Sequence, residues 1–414
     1  MRISEQAGKT IARSMPWTLV FTLVVFAPLT GINVYVGRTL YRALIELTAW
    51  KPKVLRRVMI VLLIFVNLLP VVFLSAYLTL GRVAVPAFAG DVAAIDYFLT
   101  YPFWIALVIS VQLVVLFGLM DIAAFMLKRW APTMKTSWDR RIPAAIVLVA
   151  CAVSLYTFIV IARDTWTVRI VERDVALPQD LKSLSGFRIA QISDVQGDGR
   201  TTPEILRRYV KQVNSQKPDL VLFAGDLVTS GTAYIDSSAS VLGGLEARYG
   251  SIAAIGDHDI FSRKSMILDA LHRAGIRVAE DTTLSIAVDS GRIAVTVVTY
   301  TYSQRPTNDR LQQILRTSDG AFDIVLVHQP AEVIADLAAS RGYRLLVAGH
   351  THGGGIAIGI PGVFLLAPAN AESRYVSGLY RVHEMVVSVT NGLGFTLAPI
   401  RYHAPAEIVM ITLR

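Results

Sequence analysis

The segment Gly349-His350-Thr351-His352-Gly353-Gly354 is the most informative part of this 414-residue chain. It directly follows residues 343–348, a short apolar run whose length and composition favour a buried strand. Its glycines allow the backbone to turn sharply and to approach a ligand closely. Because one histidine at a strand end is more often a hydrogen-bonded core residue than a metal ligand, the segment gains meaning only from matching segments elsewhere.

Four other predicted strands end in the same residue types. Each is a short apolar run that is followed by aspartate, histidine or glycine. The residues that follow them are Asp194, Gln196 and Asp198 after residues 187–193, Gly225 and Asp226 after 219–224, Asp257, His258 and Asp259 after 251–255, and His328 after 322–327. Helical patterns over 203–215, 263–274, 308–316 and 331–341 alternate with the strands, which predicts an α/β fold.

Carboxylates and imidazoles at several strand ends are suited to holding metal ions. In α/β sheets, ligands bind beyond the carboxyl ends of the strands, so these side chains are expected to meet at one edge. A mixture of carboxylate oxygen and imidazole nitrogen favours Mn²⁺, Fe or Zn²⁺ over a soft metal. The single cysteine, Cys151, lies in an apolar run, so no disulfide framework is predicted.

The first 165 residues differ in composition from the rest. The whole chain is 53% apolar and only 17% charged, and its net charge is +9. Residues 1–165 contain 16 Lys and Arg against 7 Asp and Glu, whereas residues 166–414 contain 24 of each. All of the net positive charge therefore belongs to the apolar part, which indicates contact with a membrane rather than with nucleic acid.

Four apolar runs occupy this part of the chain. They cover residues 16–37, 58–80, 101–127 and 142–162, and each reaches the roughly 20 residues that a helix needs to cross a bilayer. We therefore predict a transmembrane region with four helices over residues 1–165 and a folded domain over residues 166–414.

Loop charges predict the orientation in the membrane. The loops 38–57 and 128–141 contain eleven basic residues, against seven in the N-terminal tail, the second loop and the segment after the fourth run. The two basic loops are therefore expected in the cytoplasm. We expect a multi-pass protein of a bacterial inner membrane whose folded domain lies on the extracytoplasmic side.

The strand-end motifs resemble those of the calcineurin-like metallophosphoesterases. That family's pattern runs Asp-x-His, Gly-Asp, Gly-Asn-His-Asp/Glu, His and Gly-His-x-His, and the likeness extends from about residue 187 to the C-terminus. The Gly-His-Thr-His-Gly-Gly form is similar to that of membrane-associated bacterial phosphoesterases and UDP-2,3-diacylglucosamine pyrophosphatases. The N-terminal region looks like that of transmembrane proteins with a metallophosphoesterase domain. The resemblance implies a four-layer αββα domain.

The resemblance also implies a dinuclear metal centre that hydrolyses a phosphoester with a metal-activated hydroxide. By position, metal one would be held by Asp194, Gln196, Asp226 and His352, and metal two by Asp226, Asp257, His328 and His350. His258 would face the substrate and assist the leaving oxygen, and Asp259 would orient His258 by a hydrogen bond.

Two positions depart from the family pattern. Gln196 stands where the family has histidine, and its amide oxygen suits a hard metal such as Mn²⁺. Asp198 could supply a carboxylate in its place. Asp257 stands where the family has asparagine and adds negative charge at metal two. Because one ligand is weaker and one is stronger than in the family pattern, we predict a site that still binds metal but with altered ligand strength. Manganese is the expected metal, and iron or zinc are alternatives.

We expect a hydrolase that acts on a phosphodiester or pyrophosphate bond. Four spans are more than an anchor needs, which favours a lipid-linked substrate and membrane lipids as partners. The alternative is a catalytically degenerate metal-binding domain that acts as a membrane-tethered binding or regulatory module. Arg374, Arg381 and Arg401 are candidate ligands for a substrate phosphate, although solvation at the surface is the simpler explanation.

Overall fold

The computed structural model describes residues 17–80, 93–130, 135–289, 291–361, 364–395 and 398–414. The chain divides after residue 158 into two compact units, and all of the described strands lie in the second. The basic residues of the N-terminal tail and Arg82 of the second loop, which entered the prediction of orientation, lie outside the described residues, as does the first residue of the predicted span 16–37.

The first unit consists of helices. They cover Trp17–Leu47, Pro52–Val66, Leu68–Leu80, Ala93–Ile95, a π-helical turn at Asp96–Thr100, Tyr101–Trp130 and Lys135–Trp166. The last of these continues into the second unit. Val36, Leu113, Phe117 and Ile146 are buried together where three of the helices pack.

Two helical stretches in the described part of the chain are long and apolar enough to cross a membrane. They are Asp96–Leu127 and Arg141–Trp166. Only 22% and 28% of their most apolar windows are buried, whereas a core helix of a soluble protein would be mostly buried. The predicted number of four spans is not confirmed, because the helices over residues 17–80 are not among the candidates found in the described residues.

The second unit contains two six-stranded sheets. The first has the strand order β1-β14-β2-β3-β4-β5, and the second has the order β12-β13-β9-β8-β7-β6. The strands of the first sheet are β1 (Val168–Val175), β2 (Arg188–Ile192), β3 (Leu220–Phe223), β4 (Ser251–Ala253), β5 (Arg277–Val278) and β14 (Ala406–Leu413). Those of the second are β6 (Thr282–Val288), β7 (Gly291–Val298), β8 (Phe322–Val327), β9 (Leu345–Ala348), β12 (Gly378–Val382) and β13 (Met385–Val389).

Most neighbouring strands in the centre of each sheet are parallel. In the first sheet β2, β3, β4 and β5 run parallel, with register pairs such as Ile189 with Leu220. In the second sheet β7, β8, β9 and β13 run parallel. A third, separate sheet is the antiparallel hairpin of β10 (Ile358–Ile360) and β11 (Phe364–Leu366). Parallel pairing brings the carboxyl ends of the central strands to the same edge of each sheet.

The alternation of side chains along the strands explains the layers. Leu220 and Leu222 of β3 point into the core between the two sheets, whereas Val221 and Phe223 point to the opposite face. That face packs on the helices Pro203–Ser215, Ile235–Leu242 and Lys264–Arg273. The outer face of the second sheet packs on the helices Asn308–Ile314 and Glu332–Ser340. The unit is therefore ordered helix, sheet, sheet, helix.

The predicted α/β class is confirmed. The helix predicted over 203–215 has those bounds in the structure, and the strand predicted over 322–327 does too. The sequence interpretation did not include the helix Ile235–Leu242 or the hairpin β10–β11.

Candidate metal centre

The predicted metal ligands follow the carboxyl ends of strands in both sheets. In the first sheet they are Asp194 and Gln196 after β2, Asp226 after β3 and Asp257 after β4; in the second they are His328 after β8 and His350 and His352 after β9. Hydrogen bonds join the two sets: the backbone N–H of His350 donates to Asp194 Oδ2 over 2.9 Å. The site therefore lies where the two sheets adjoin.

Two groups of ligand atoms lie close enough to hold a cation. The atoms of the first group, Asp194, Asp226 and His328, lie within 4.8 Å of one another, and so do those of the second group, Asp257, His328 and His350. His328 Nε2 is 3.3 Å from Asp226 Oδ2 and 3.4 Å from Asp257 Oδ2, so this buried imidazole lies between the two groups.

Buried polar atoms without partners show that this set of side chains fits a cation. Within the described part of the chain, Asp194 Oδ1, Gln196 Oε1 and His352 Nδ1 have no hydrogen-bond partner. A buried polar atom left in this state costs about 1–3 kcal/mol. His352 Nε2 lies 3.3 Å from Asp194 Oδ1, so histidine and carboxylate face each other here. A divalent metal bound among these oxygens and nitrogens would supply the missing partner.

The backbone of the site is strained. Five of the predicted ligands have positive φ angles, a region that favours glycine: Asp194 (51°), Gln196 (48°), Asp226 (63°), His350 (71°) and His352 (51°). Each such residue costs of the order of 1–3 kcal/mol, and this kind of strain concentrates at functional sites. Gly256 shows how tightly the turns pack, because a Cβ there would lie 2.2 Å from Asp226 Oδ1.

Comparison with known proteins agrees with this geometry. Residues 187–354 match the family model described as calcineurin-like phosphoesterase. A Bacillus subtilis (strain 168) protein, "Uncharacterized metallophosphoesterase YkuE", is 31% identical over 234 residues, which are 55% of this chain and 79% of that protein. This chain belongs to the calcineurin-like phosphoesterase family. The family is one of metal-dependent hydrolases, so the predicted enzyme class is confirmed.

Two other relatives are described as membrane proteins. The "Transmembrane protein with metallophosphoesterase domain" of Danio rerio is 29% identical over 59% of this chain and 57% of its own length. The protein of that name from Bos taurus is 27% identical over 66% of this chain and 62% of its own length. The chain thus spans about three-fifths of these relatives. Among solved structures, the NAD nucleotidase of Haemophilus influenzae is 15% identical with a TM-score of 0.36, over 50% of this chain and 45% of that one.

Burial and neighbouring charges shift the pKa values of the titratable side chains in the site. Burial opposes protonation of His328, but the negative charge of Asp226 raises the pKa of His328 well above its usual value. Burial also opposes ionisation of Asp257, but a hydrogen bond from His350 and the charge of His328 lower its pKa to about 2. Without metal, the protonated imidazole of His328 therefore pairs with the carboxylates of Asp226 and Asp257. Metal binding has to displace that proton.

Gln196 and Asp198 are the two candidate ligands of metal one at the position where the family has histidine, and their contacts differ. Asp198 Oδ1 accepts hydrogen bonds from the backbone N–H groups of Arg200 and Thr201, each at 2.7 Å, and its Oδ2 accepts one from Thr229 Oγ1 at 2.8 Å. Both oxygens of Asp198 thus hold the loop after β2. Gln196 Nε2 instead donates to Asp226 Oδ2 at 2.9 Å and leaves Oε1 without a partner. Of these two residues, Gln196 is the one with a side-chain oxygen that lacks a partner, so it stays the candidate ligand.

The predicted hydrogen bond between Asp259 and His258 is not formed, and that part of the interpretation was wrong. Asp259 Oδ2 accepts from the backbone N–H groups of Asp226 and Gly256, both at 2.9 Å, and Oδ1 accepts from that of Leu227 at 2.8 Å. Asp259 therefore holds the turn that presents Asp226. The ring of His258 is placed instead by Nδ1, which contacts the carbonyl oxygen of Thr229.

Sequence reasoning missed a carboxylate beside the second group. Glu372 Oε2 lies 3.2 Å from His350 Nε2 and accepts a hydrogen bond of 2.6 Å from the hydroxyl of Tyr302. His350 Nδ1 points the other way, 3.1 Å from Asp257 Oδ2. A carboxylate on the far nitrogen of a ligand histidine fixes its orientation. Glu372 lies outside every strand-end motif, so no spacing pattern pointed to it.

Arg401 corrects another expectation, because it is neither solvated nor open to a phosphate. It is among the largest fully buried side chains of the described chain. Its Nη1 donates to the carbonyl oxygens of Asn391 and Ala404, both at 2.9 Å, and its Nη2 donates to that of Gly394 at 2.5 Å. Burial lowers its pKa to about 10. Arg401 therefore ties together the loops behind the site.

Proposed function

We propose that this chain is a membrane-anchored, metal-dependent phosphoesterase that hydrolyses a phosphodiester or pyrophosphate bond in a lipid-linked substrate. The observation that carries the proposal is the pair of ligand groups joined by His328, with buried atoms of Asp194, Gln196 and His352 in and beside the first group that lack a hydrogen-bond partner. Family membership supports the reaction class, and the apolar helices support the membrane anchor.

We propose that two divalent cations occupy these groups, manganese first and iron or zinc as alternatives. Metal one would be held by Asp194, Gln196, Asp226 and His352, and metal two by Asp226, Asp257, His328 and His350. When bound, such cations supply Lewis acidity toward the phosphoryl oxygens and lower the pKa of a bound water. The mixed oxygen and nitrogen donors, without thiolate, suit these metals.

We infer that His258 serves the leaving group. Its Nδ1 lies against the carbonyl oxygen of Thr229, so Nδ1 carries a proton. Nε2 is then the nitrogen that can face a substrate, and in the imidazolium form it donates a proton to the leaving oxygen. The backbone N–H of His258 also donates to Asp226 Oδ1 at 2.8 Å, which fixes this residue relative to the first group. Asp259 acts through the Asp226 turn rather than on the substrate.

The membrane part of the proposal assigns four spans to residues 1–165 and the catalytic domain to residues 166–414. It places a multi-pass protein in a bacterial inner membrane, with the domain outside the cytoplasm. The relatives described as transmembrane proteins and the two candidate helices support membrane association. A topology reporter fused after Arg414 tests the orientation, and signal from a cytoplasm-specific reporter would overturn it. The likeness to UDP-2,3-diacylglucosamine pyrophosphatases stays a prediction.

Hydrolysis of a chromogenic phosphodiester by the detergent-purified full-length protein tests the reaction. Activity that requires Mn²⁺ and disappears in Asp226→Asn and His258→Ala supports the proposal. Asp236→Asn is the matched control, because the Asp236 side chain is 76% exposed and pairs with Arg273. Stoichiometric metal binding without turnover of any phosphoester would overturn the catalytic proposal. It would favour the degenerate binding module, and Gln196→His with Asp257→Asn would then be the substitutions to try.

A further inference from the structure

The hairpin β10–β11 connects two parts of the metal site. His352 precedes it and Glu372 follows it, and the strands pair antiparallel from Ile358 with Leu366 to Ile360 with Phe364. Residues 356–371 contain no Asp, Glu, Lys or Arg. The hairpin is not part of either six-stranded sheet. A two-stranded hairpin is marginally stable by itself, so a partner surface would stabilise it.

The hairpin exposes large apolar side chains. Leu366 is 65% exposed, Ile360 56% and Leu365 36%. Contiguous exposed apolar residues on a two-stranded sheet mark an interaction surface or an aggregation hazard. With no charged residue between 356 and 371, the hairpin offers apolar contact and no charge complementarity. This composition favours an apolar phase over the mixed surface of a soluble protein.

The base of the hairpin is tied to the end of a candidate membrane helix. Ala357 donates its backbone N–H to the carbonyl oxygen of Tyr402 at 2.9 Å, and Tyr402 donates to that of Gly355 at 3.0 Å. The neighbouring Arg401 donates its backbone N–H to Thr165 Oγ1 at 3.0 Å. Thr165 lies in the last turn of the helix Arg141–Trp166. One backbone pairing therefore separates the hairpin from that helix end.

In the proposed membrane anchor, the helix end marks the level at which the chain leaves the bilayer. Residues 142–162 contain no charged residue, and Arg163 and Asp164 are the first after them. Trp166 follows and is 73% exposed, as is typical of aromatic side chains at the boundary between lipid and water. Strands of three residues extend about 10 Å, so the hairpin can reach a lipid surface at this level.

We propose that the hairpin β10–β11 is a membrane-docking element whose apolar side chains enter the boundary region of the bilayer that the helices cross. The occupant of this surface is lipid. Docking holds the two ends of the hairpin, and with them His352 and Glu372, next to the membrane surface. Docking rests on the membrane anchor of the proposed function, and the preference for a bilayer-embedded phosphoester rests in addition on its catalytic part.

Quenching by labelled lipids tests the docking directly. Leu366→Cys in a Cys151→Ser background carries a fluorophore, and the full-length protein is placed in phosphatidylethanolamine and phosphatidylglycerol nanodiscs that contain doxyl-labelled lipid. Ser340→Cys is the matched control, because Ser340 is exposed and precedes β9, at the opposite end from His350. Ile360→Cys provides a second position on the hairpin if the first variant does not fold.

We expect several-fold stronger quenching at 366 and at 360 than at 340. Equal quenching at all three positions overturns the proposal, and so does crosslinking of 366 to a second copy without quenching. A second measurement uses Leu366→Asp, for which we expect several-fold slower hydrolysis of a nanodisc-embedded phosphodiester and unchanged hydrolysis of a soluble one. If the unsubstituted protein hydrolyses neither, the proposed function fails, while the quenching result still decides whether the hairpin docks.

Discussion

Removing the charge of Glu372 should weaken metal binding at the second group without unfolding the domain. Glu372 Oε2 lies 3.2 Å from His350 Nε2, on the side away from Asp257, and the hydroxyl of Tyr302 donates to the same oxygen at 2.6 Å. Glu372→Gln keeps the length of the side chain but loses the negative charge behind the imidazole. The imidazole of His350 then becomes a weaker electron-pair donor to the metal, and its orientation is less firmly fixed.

The size of the effect follows from the exposure of Glu372. Carboxylates behind ligand histidines typically change metal affinity by about 10–100-fold. The Glu372 side chain is 52% exposed, so solvent screens its charge and the lower end of that range applies. We expect Mn²⁺ affinity at the second group to fall about tenfold, or about 1.4 kcal/mol. Tyr302→Phe should shift affinity in the same direction by less, because the carboxylate charge remains.

Calorimetric titration of the chelator-treated full-length protein with Mn²⁺ measures this change. Glu332→Gln is a close control: its side chain is also 52% exposed and it pairs with Arg374, away from the ligands. An affinity of Glu372→Gln equal to that of Glu332→Gln would refute the reasoning. The same holds if the melting temperature falls while affinity stays unchanged, since Glu372 would then serve only the packing of its segment.

Three further substitutions test other parts of the domain. Asp259→Asn should lower the free energy of unfolding, measured by urea titration, by about 2–3 kcal/mol. The reason is that an amide has one oxygen and cannot accept from the backbone N–H groups that now contact Oδ1 and Oδ2. An unchanged free energy of unfolding would contradict the role given to these three contacts. Gly256→Ala should displace Asp226, whose Oδ1 lies 2.2 Å from the added Cβ, and abolish metal binding, whereas Gly37→Ala, with nothing within 4 Å, should not. Burial raises the pKa of Asp323 to about 6, so ionisation opposes folding: stability should fall as pH rises from the usual aspartate range to about 6 and stay lower above it. Asp323→Asn should therefore stabilise the protein above about pH 6 and have little effect near pH 4, and an equal effect at both would exclude this explanation.

The sequence predicted correctly those features that depend on a single local residue pattern. The helix over 203–215 has apolar residues at helical spacing and a proline at its first position, and both features favour its observed bounds. The candidate ligands after β2, β3, β4, β8 and β9 could be predicted to lie together because parallel strands bring their carboxyl ends to one edge.

The sequence did not predict features that depend on contacts formed only in the folded protein. Gln196 and Asp198 both follow β2, and only the folded loop shows that Asp198 is occupied by backbone donors. Asp259 is adjacent to His258 in sequence but contacts the neighbouring turn. The hairpin β10–β11 was missed because its strands are apolar and exposed, whereas apolar runs were interpreted as buried strands.

The hydrogen bond between Thr165 and Arg401 determines where the chain can be truncated to give a soluble fragment. Asp164 and Thr165 lie in the last turn of the apolar helix Lys135–Trp166, yet both are buried within the part of the second unit that covers residues 159–414. A soluble fragment that starts at residue 166 would leave the backbone N–H of Arg401 without its partner. Fragments intended for crystallisation or for assays in detergent-free buffer should therefore keep the last turn of the helix, with its outward apolar residues replaced by polar ones.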